Sequence, residues 1–320
     1  MISSGLAELQ QIAAFLHDPD PSVRRIAVLD LLDHVEEEGT VVELLIAALH
    51  DTDPGVRAEA TRSLEGFERA DVVGALVAAL HDIAEPVRQS AALTLAELKD
   101  PALAVPLLQG LPGADAFARA ALFRSLRELR VQESLAPALE ALGDENAAVR
   151  REATAVLGYL HDEAAVSGLM EHVAGDPEPE VRRAAVGALA FTHHDGAPGV
   201  IAAALRDASW QVREEAAATL GRLHAVGASA ALIDAMSDSA WEVRVQAARA
   251  LGKIARPEAT PALILALTHS VSNLRKEAAI ALGELRDPRS VAALTQALTD
   301  ADADVRKLAT HALRKIEGVA

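Results

Sequence analysis

Apolar residues recur along this chain with the spacing of one helix face, and that face itself repeats. Its landmark is an arginine, found at Arg24, Arg57, Arg88, Arg119, Arg150, Arg182, Arg213, Arg244, Arg275 and Arg306, with Val in front of eight of the ten. Ala follows three residues later in nine cases. A Leu stands seven residues after every one: Leu31, Leu64, Leu95, Leu126, Leu157, Leu189, Leu220, Leu251, Leu282 and Leu313. Apolar groups at i, i+4 and i+8 form one stripe of an α-helix. The pattern predicts a helix A in each unit, and a second amphipathic run after a short turn, as in 291–298, predicts a helix B.

Start and stop signals agree with this division. Capping residues stand four before the arginine at Asp20, Asp53, Asp115, Asn146, Ser209 and Asp302, and Pro21, Pro54 and Pro179 follow at the first helical position, where a missing N–H costs nothing. Most units end helix B on an Asp: Asp18, Asp51, Asp82, Asp144, Asp176, Asp207, Asp238 and Asp300. Gly158, Gly221, Gly252 and Gly283 follow the repeat Leu, where a helix is expected to tolerate Gly only for close packing.

The arginines are 31 residues apart in seven of nine intervals, with 33 before Arg57 and 32 before Arg182. The extra residues predict loop insertions at 34–40, with Glu36, Glu37 and Glu38 as a solvated bulge, and near Gly175. Two helices of this length cannot bury their apolar stripes alone, so units must stack on one another. The predicted fold is all-α: a right-handed α-solenoid, or superhelix, of about ten 31-residue helical hairpins. It is expected to be one domain over 1–320. Residues 1–17 would form an N-terminal capping helix with Leu6, Leu9, Ile12 and Leu16 on one face, 18–299 nine two-helix repeats and 300–320 a C-terminal half-repeat.

Composition narrows the chemistry. Apolar residues make up 51% of the 320 but aromatics only 2%, so the core must be Ala, Leu and Val in close contact. There is no Cys, which removes disulfides, thiolate metal sites and Cys nucleophiles. The net charge is −17 and is uneven, the first hundred residues holding 7 basic and 19 acidic side chains. Such a surface repels phosphate backbones, so no nucleic acid partner is expected. The first residues lack a basic n-region and no 18 apolar residues run together, which predicts neither a leader nor a membrane span and places the protein in the cytoplasm.

The unit D-x-x-x-V-R-x-x-A-x-x-x-L-G-x-L, followed by A-V-x-x-L-x-x-A-L, resembles the short HEAT-like repeat of the phycobilisome-lyase class, which includes the E/F-type bilin lyases. The resemblance extends from Asp18 to Ile316. It implies protein binding first, and a bilin-lyase-like role in chromophore attachment or maturation as the alternative. Deoxyhypusine hydroxylase, another HEAT-repeat protein, carries His-Glu pairs just after the repeat arginine. Here those positions read Ala58-Glu59, Arg151-Glu152, Glu214-Glu215 and Lys276-Glu277, and the chain contains no His-Glu dipeptide. The HEAT-like alkylpurine DNA glycosylases need a basic groove, which the net charge contradicts.

Several residues invite chemistry. His17, His50 and His81 each end a helix B, but stacked helices are about 8–10 Å apart and zinc needs nitrogens at about 2.0–2.1 Å, so capping is the better fit. His161, His193 and His224 share the position eleven after the arginine, beside His194 and Asp195. Lys99, Arg130 and Arg286 hold that position elsewhere, so it reads as a site for a cation at the end of helix A, with a metal or proton-sensitive contact as the alternative. No Ser/His/Asp set, phosphate loop or paired carboxylates are apparent, so no catalytic residue, cofactor or metal is expected.

The expected function is that of a non-enzymatic scaffold, monomeric in isolation, which binds a protein partner. Trp210 and Trp241, the only two tryptophans, stand three before the arginine in neighbouring units, at a helix start where most other units place Pro, Ala or Ser. Exposed Trp is typical of binding hot spots, and Arg206 and Glu242 would form a polar rim. The other candidate surface is a concave helix-B face around Glu140, Glu171 and Asp234. A ladder of ion pairs between units is expected to join Arg57, Arg88, Arg150, Arg182, Arg213 and Arg244 with aspartates including Asp51, Asp82, Asp207 and Asp238.

Overall fold

The structure is a computed structural model that describes the backbone of residues 2–318 and the side chains of 8–318. It is an all-α solenoid of stacked helical hairpins, and its internal contacts divide it into two compact units, Met1–Leu160 and His161–Ala320. No helix among the described residues is long and apolar enough to cross a membrane.

In the first unit α1 (Ile2–Phe15) packs on the helix that follows it. The A helices α2 (Pro21–Asp30), α4 (Pro54–Ser63), α6 (Glu85–Ala96), α8 (Ala116–Leu129) and α10 (Ala147–Leu160) pack side by side. The B helices between them are α3 (Glu38–Ala48), α5 (Ala70–Ala79), α7 (Ala104–Gly110) and α9 (Leu135–Ala141), each packed on the A helix that follows. Leu9 is the buried anchor of α1, while Ile12 and Leu16 are half-buried; the Leu6 side chain lies outside the described residues. The two residues inserted before α3 do not make a loop. They extend α2 through a 3-10 run, Leu31–Glu37, kinked at His34 (φ −123°, ψ 32°), so the acidic bulge is largely helical.

The second unit repeats the plan. Its A helices are α12 (Pro179–Ala188), α14 (Trp210–Arg222), α16 (Trp241–Ile254), α18 (Ser272–Leu285) and α20 (Ala303–Glu317), and its B helices are α11 (Val166–Gly175), α13 (Ala197–Ala204), α15 (Ser229–Ala235), α17 (Thr260–Ala266) and α19 (Val291–Ala297). Short 3-10 turns such as Pro257–Ala259 lead into several B helices.

The landmark residues form the core. From Leu31 to Leu282 the repeat leucines are at most 1% exposed, whereas Leu313, on the last described helix, is half-buried. Burying each such side chain stabilises the fold by about 1.5–3 kcal/mol. The glycines after the leucine let neighbouring A helices touch: a Cβ on Gly221, Gly252 or Gly283 would meet the Cα of Ala250, Ala281 or Ala312 at 2.9, 2.9 and 3.0 Å.

Most A helices are capped at one end or both. Asp20, Asp53, Asp115, Asn146 and Asp302 accept backbone N–H groups of the first turn, but Ser209 does not, because its hydroxyl donates to Gln211 Oε1 instead. At the other end Arg130, His161, His224, Ala255 and Arg286 adopt left-handed backbone, with φ of 47–54°. In these five units the position eleven after the arginine is thus a helix-terminating turn, and Ala255 shows that it does not require a cation; Lys99 and His193 at the same position are not left-handed.

Candidate interaction surface

Most turns from a B helix into an A helix are built on one aspartate. Asp51, Asp82, Asp144, Asp207, Asp238 and Asp300 all use Oδ1 to accept the N–H two residues further on, at 2.7–2.8 Å. The same carboxylates receive the arginine of the preceding repeat. Two parallel bonds join Arg24 to Asp51 (2.6 and 2.7 Å), Arg57 to Asp82 (both 2.7 Å), Arg182 to Asp207 (2.7 and 2.8 Å), Arg213 to Asp238 (2.7 and 2.8 Å) and Arg275 to Asp300 (both 2.8 Å). Arg119 reaches Asp144 through Nη2 at 2.8 Å. Fork-on-carboxylate geometry is the strong form of this contact.

The aspartates carry the electrostatic signature of these pairs. The guanidinium beside each of Asp51, Asp82, Asp238 and Asp300 holds its carboxyl below the ordinary value of 3.8, against the opposing effect of burial. At Asp207 burial is the largest influence and raises the value, but Arg182 and the Ser209 N–H together outweigh it.

Two rungs depart from the expected ladder. Gly113 stands where Arg88 would meet its aspartate, so Arg88 keeps its bonds to the carbonyls of Asp82 and Ile83 (2.8 and 3.2 Å) and sets its guanidinium 5.9 Å from the Phe117 ring centre. Beyond Arg244 the aspartate position holds His269. Its Nδ1 still accepts the N–H two residues on, from Val271 at 3.0 Å, but it offers the arginine no carboxylate. Arg244 Nε is buried without a partner. Arg150 bonds the carbonyls of Asp144 and Glu145 at 2.9 and 3.1 Å.

The two tryptophans begin α14 and α16, helices in direct contact, and each is 38% exposed. Equal exposure follows from equal register. The greater part of each residue is nevertheless covered by its neighbours. Arg206 is exposed just after α13, and Glu242 is half-buried next to Trp241. Glu140, Glu171 and Asp234 are exposed on α9, α11 and α15. Glu140 lines a cleft of ≈ 650 Å³ with Arg119, Phe123, Pro137 and Asp144. Leu265, one repeat after Asp234, is 74% exposed on α17.

The histidines are dispersed. His161 stacks at a tilt on Phe191, 4.6 Å between ring centres, and His224 Nδ1 lies 3.2 Å from the Lys253 carbonyl. Among the described residues no group of three or more His, Asp or Glu is placed to hold a metal ion.

These hairpins and their rungs define a class. The family model for HEAT repeats matches residues 9–96, 42–127, 104–190, 166–238, 197–269 and 229–314, and the chain belongs to that family. Solved structures share its fold. An engineered protein is 23% identical with a TM-score of 0.54, the match covering 97% of this chain and 98% of that one. Kap95p, from a structure in which its binding induces the switch loops of RanGDP to adopt the GTP-bound conformation, is 14% identical with a TM-score of 0.65 over 98% of this chain and 50% of its own. The Escherichia coli protein YibA is 19% identical with a TM-score of 0.53, over 91% of this chain and 95% of its own. Curated proteins gave no match.

Proposed function

We propose that this HEAT-repeat chain is a non-enzymatic, monomeric, single-domain cytoplasmic scaffold that binds a protein partner on the edge formed by the starts of α14 and α16. The observation that carries the reading is the repeated half-exposure of Trp210 and Trp241, the only two tryptophans, on adjacent helices. Aromatic anchors of this kind dominate binding energy at interfaces. Kap95p, which shares the fold, binds another protein, and that supports the same class of role. Arg206 and Glu242 would form the polar rim, and the face around Glu140, Glu171 and Asp234 would be a secondary surface.

The test compares partners captured by the wild-type chain and by Trp210→Ala/Trp241→Ala under identical conditions. Partner recovery should fall at least about tenfold in the variant, the factor for 1.4 kcal/mol. Undiminished recovery would move recognition to the helix-B face. A bilin-lyase-like role would instead give a visible absorption band on mixing the protein with phycocyanobilin.

A further inference from the structure

Arg244 alone among the ten repeat arginines makes no side-chain hydrogen bond or ion pair within the described residues. Every other one bonds at least the carbonyl near the end of its preceding B helix: Arg213 bonds that of Asp207 and Arg275 that of His269, at 2.9 and 2.8 Å. Arg88, the other arginine whose aspartate position is substituted, is compensated by Phe117. Arg244 has neither compensation. It is half-buried, with its Nε covered, so water does not fully replace the missing partner. A guanidinium held this way has an unmet demand for a carboxylate.

The surroundings favour one kind of occupant. Flanking rungs show what this position accepts, because Asp238 and Asp300 sit on Arg213 and Arg275 through paired bonds. His269 is committed to its own turn by Val271, and burial, with the charges of Arg244 and Arg275, holds it below its ordinary value, in the neutral form. Among the described residues no acidic side chain meets Arg244. One helical turn before Arg244 on the same helix, half-exposed, stands Trp241.

We propose that the Arg244–His269 gap is a binding site for a carboxylate side chain on an acidic peptide segment of a protein partner, with apolar residues beside that carboxylate resting on Trp241. The partner would supply the rung that the chain omits. This rests on the edge reading above and gives it a chemical specificity.

The experiment exploits the fact that both tryptophans lie at this edge, so intrinsic fluorescence reports on it directly. The probe is an end-blocked peptide with a central aspartate between leucines, compared with the same peptide carrying asparagine. The aspartate peptide should shift the fluorescence saturably, and the asparagine peptide should bind at least about tenfold more weakly. His269→Asp should restore the internal pair, raise Tm and abolish peptide binding. Arg244→Gln should abolish binding without raising Tm. Equal binding of the two peptides, no saturable shift up to millimolar aspartate peptide, or full binding by His269→Asp would overturn the proposal. Partner capture separates the two readings. Loss in the Trp double variant but retention in both His269→Asp and Arg244→Gln would leave the edge and remove the carboxylate site, whereas retention in all three would remove the edge itself.

Discussion

Arg213 and Asp238, 25 residues apart in the chain, meet through two parallel hydrogen bonds of 2.7 and 2.8 Å with 14% and 10% of their side chains exposed. Removing the arginine leaves a half-buried carboxylate attached to the turn that starts α16. Arg213→Ala should cost about 2–3 kcal/mol, less than the roughly 3–5 kcal/mol of breaking a fully buried pair because both side chains keep some exposure. Arg222, 40% exposed and paired with Glu215 on its own helix, should cost about 0.5 kcal/mol or less when replaced by Ala. Thermal unfolding of the two variants checks this, and equal shifts in Tm would take the ladder out of the stability of the fold.

Acid should weaken the same rungs. Asp51, Asp82, Asp238 and Asp300 titrate below 3.8 when folded, so the unfolded chain takes up their protons first. Their contribution is therefore complete above the ordinary carboxylate value and is lost as pH falls through the depressed folded values. Stability should hold from neutrality down to about pH 5 and fall steeply below about pH 4. Urea unfolding against pH would show it, and Arg57→Ala/Arg213→Ala should flatten the acid slope.

Two glycine substitutions should move stability in opposite directions. A Cβ on Gly252 would lie 2.9 Å from the Cα of Ala281, a backbone atom that cannot turn aside, while nothing stands within 4 Å of a Cβ on Gly199 in α13. Gly252→Ala should lower stability by about 1 kcal/mol or more despite better helix propensity. Gly199→Ala should raise it by up to about 1 kcal/mol. Paired melting curves decide the matter.

Because the greater part of each Trp is covered, Trp210→Ala/Trp241→Ala should cost stability as well as binding, about 1–2 kcal/mol per ring. The double variant should still show the full helical circular dichroism signal at 25 °C. Loss of that signal would make the rings joint-sealing core.

The solenoid was legible because each helix A repeats the same buried positions, so a periodic search finds Val212, Ala216 and Leu220 together with their counterparts. Boundaries that depend on backbone conformation were less visible. Lys99, Arg130, His161, His193, His224 and Arg286 read as a preference for positive charge, whereas Arg130, His161, His224 and Arg286 share a left-handed turn with Ala255, which carries no charge. The insertion at 34–40 became a helical extension because Leu31 was already anchored in the core and the chain could continue winding from it. The ladder's partners were present as aspartates in register, but which arginine meets which carboxylate depends on how hairpins stack. The absence of an Asp at positions 113 and 269 was in the sequence too; it gains meaning only when the neighbouring rungs show what belongs there.

His269 also bears on how the second unit comes apart. In a stack where each hairpin touches only its neighbours, cooperativity is set joint by joint. The joint from α16 to α18 keeps the Gly252–Ala281 contact but lacks its rung, so α18 to α20 should open as a block ahead of α14 and α16. Amide hydrogen exchange should show that block protected less than the helices before it. An acidic ligand seated on Arg244 would then splice two segments that otherwise breathe separately, and its arrival would be felt as slowed exchange throughout the last three helices.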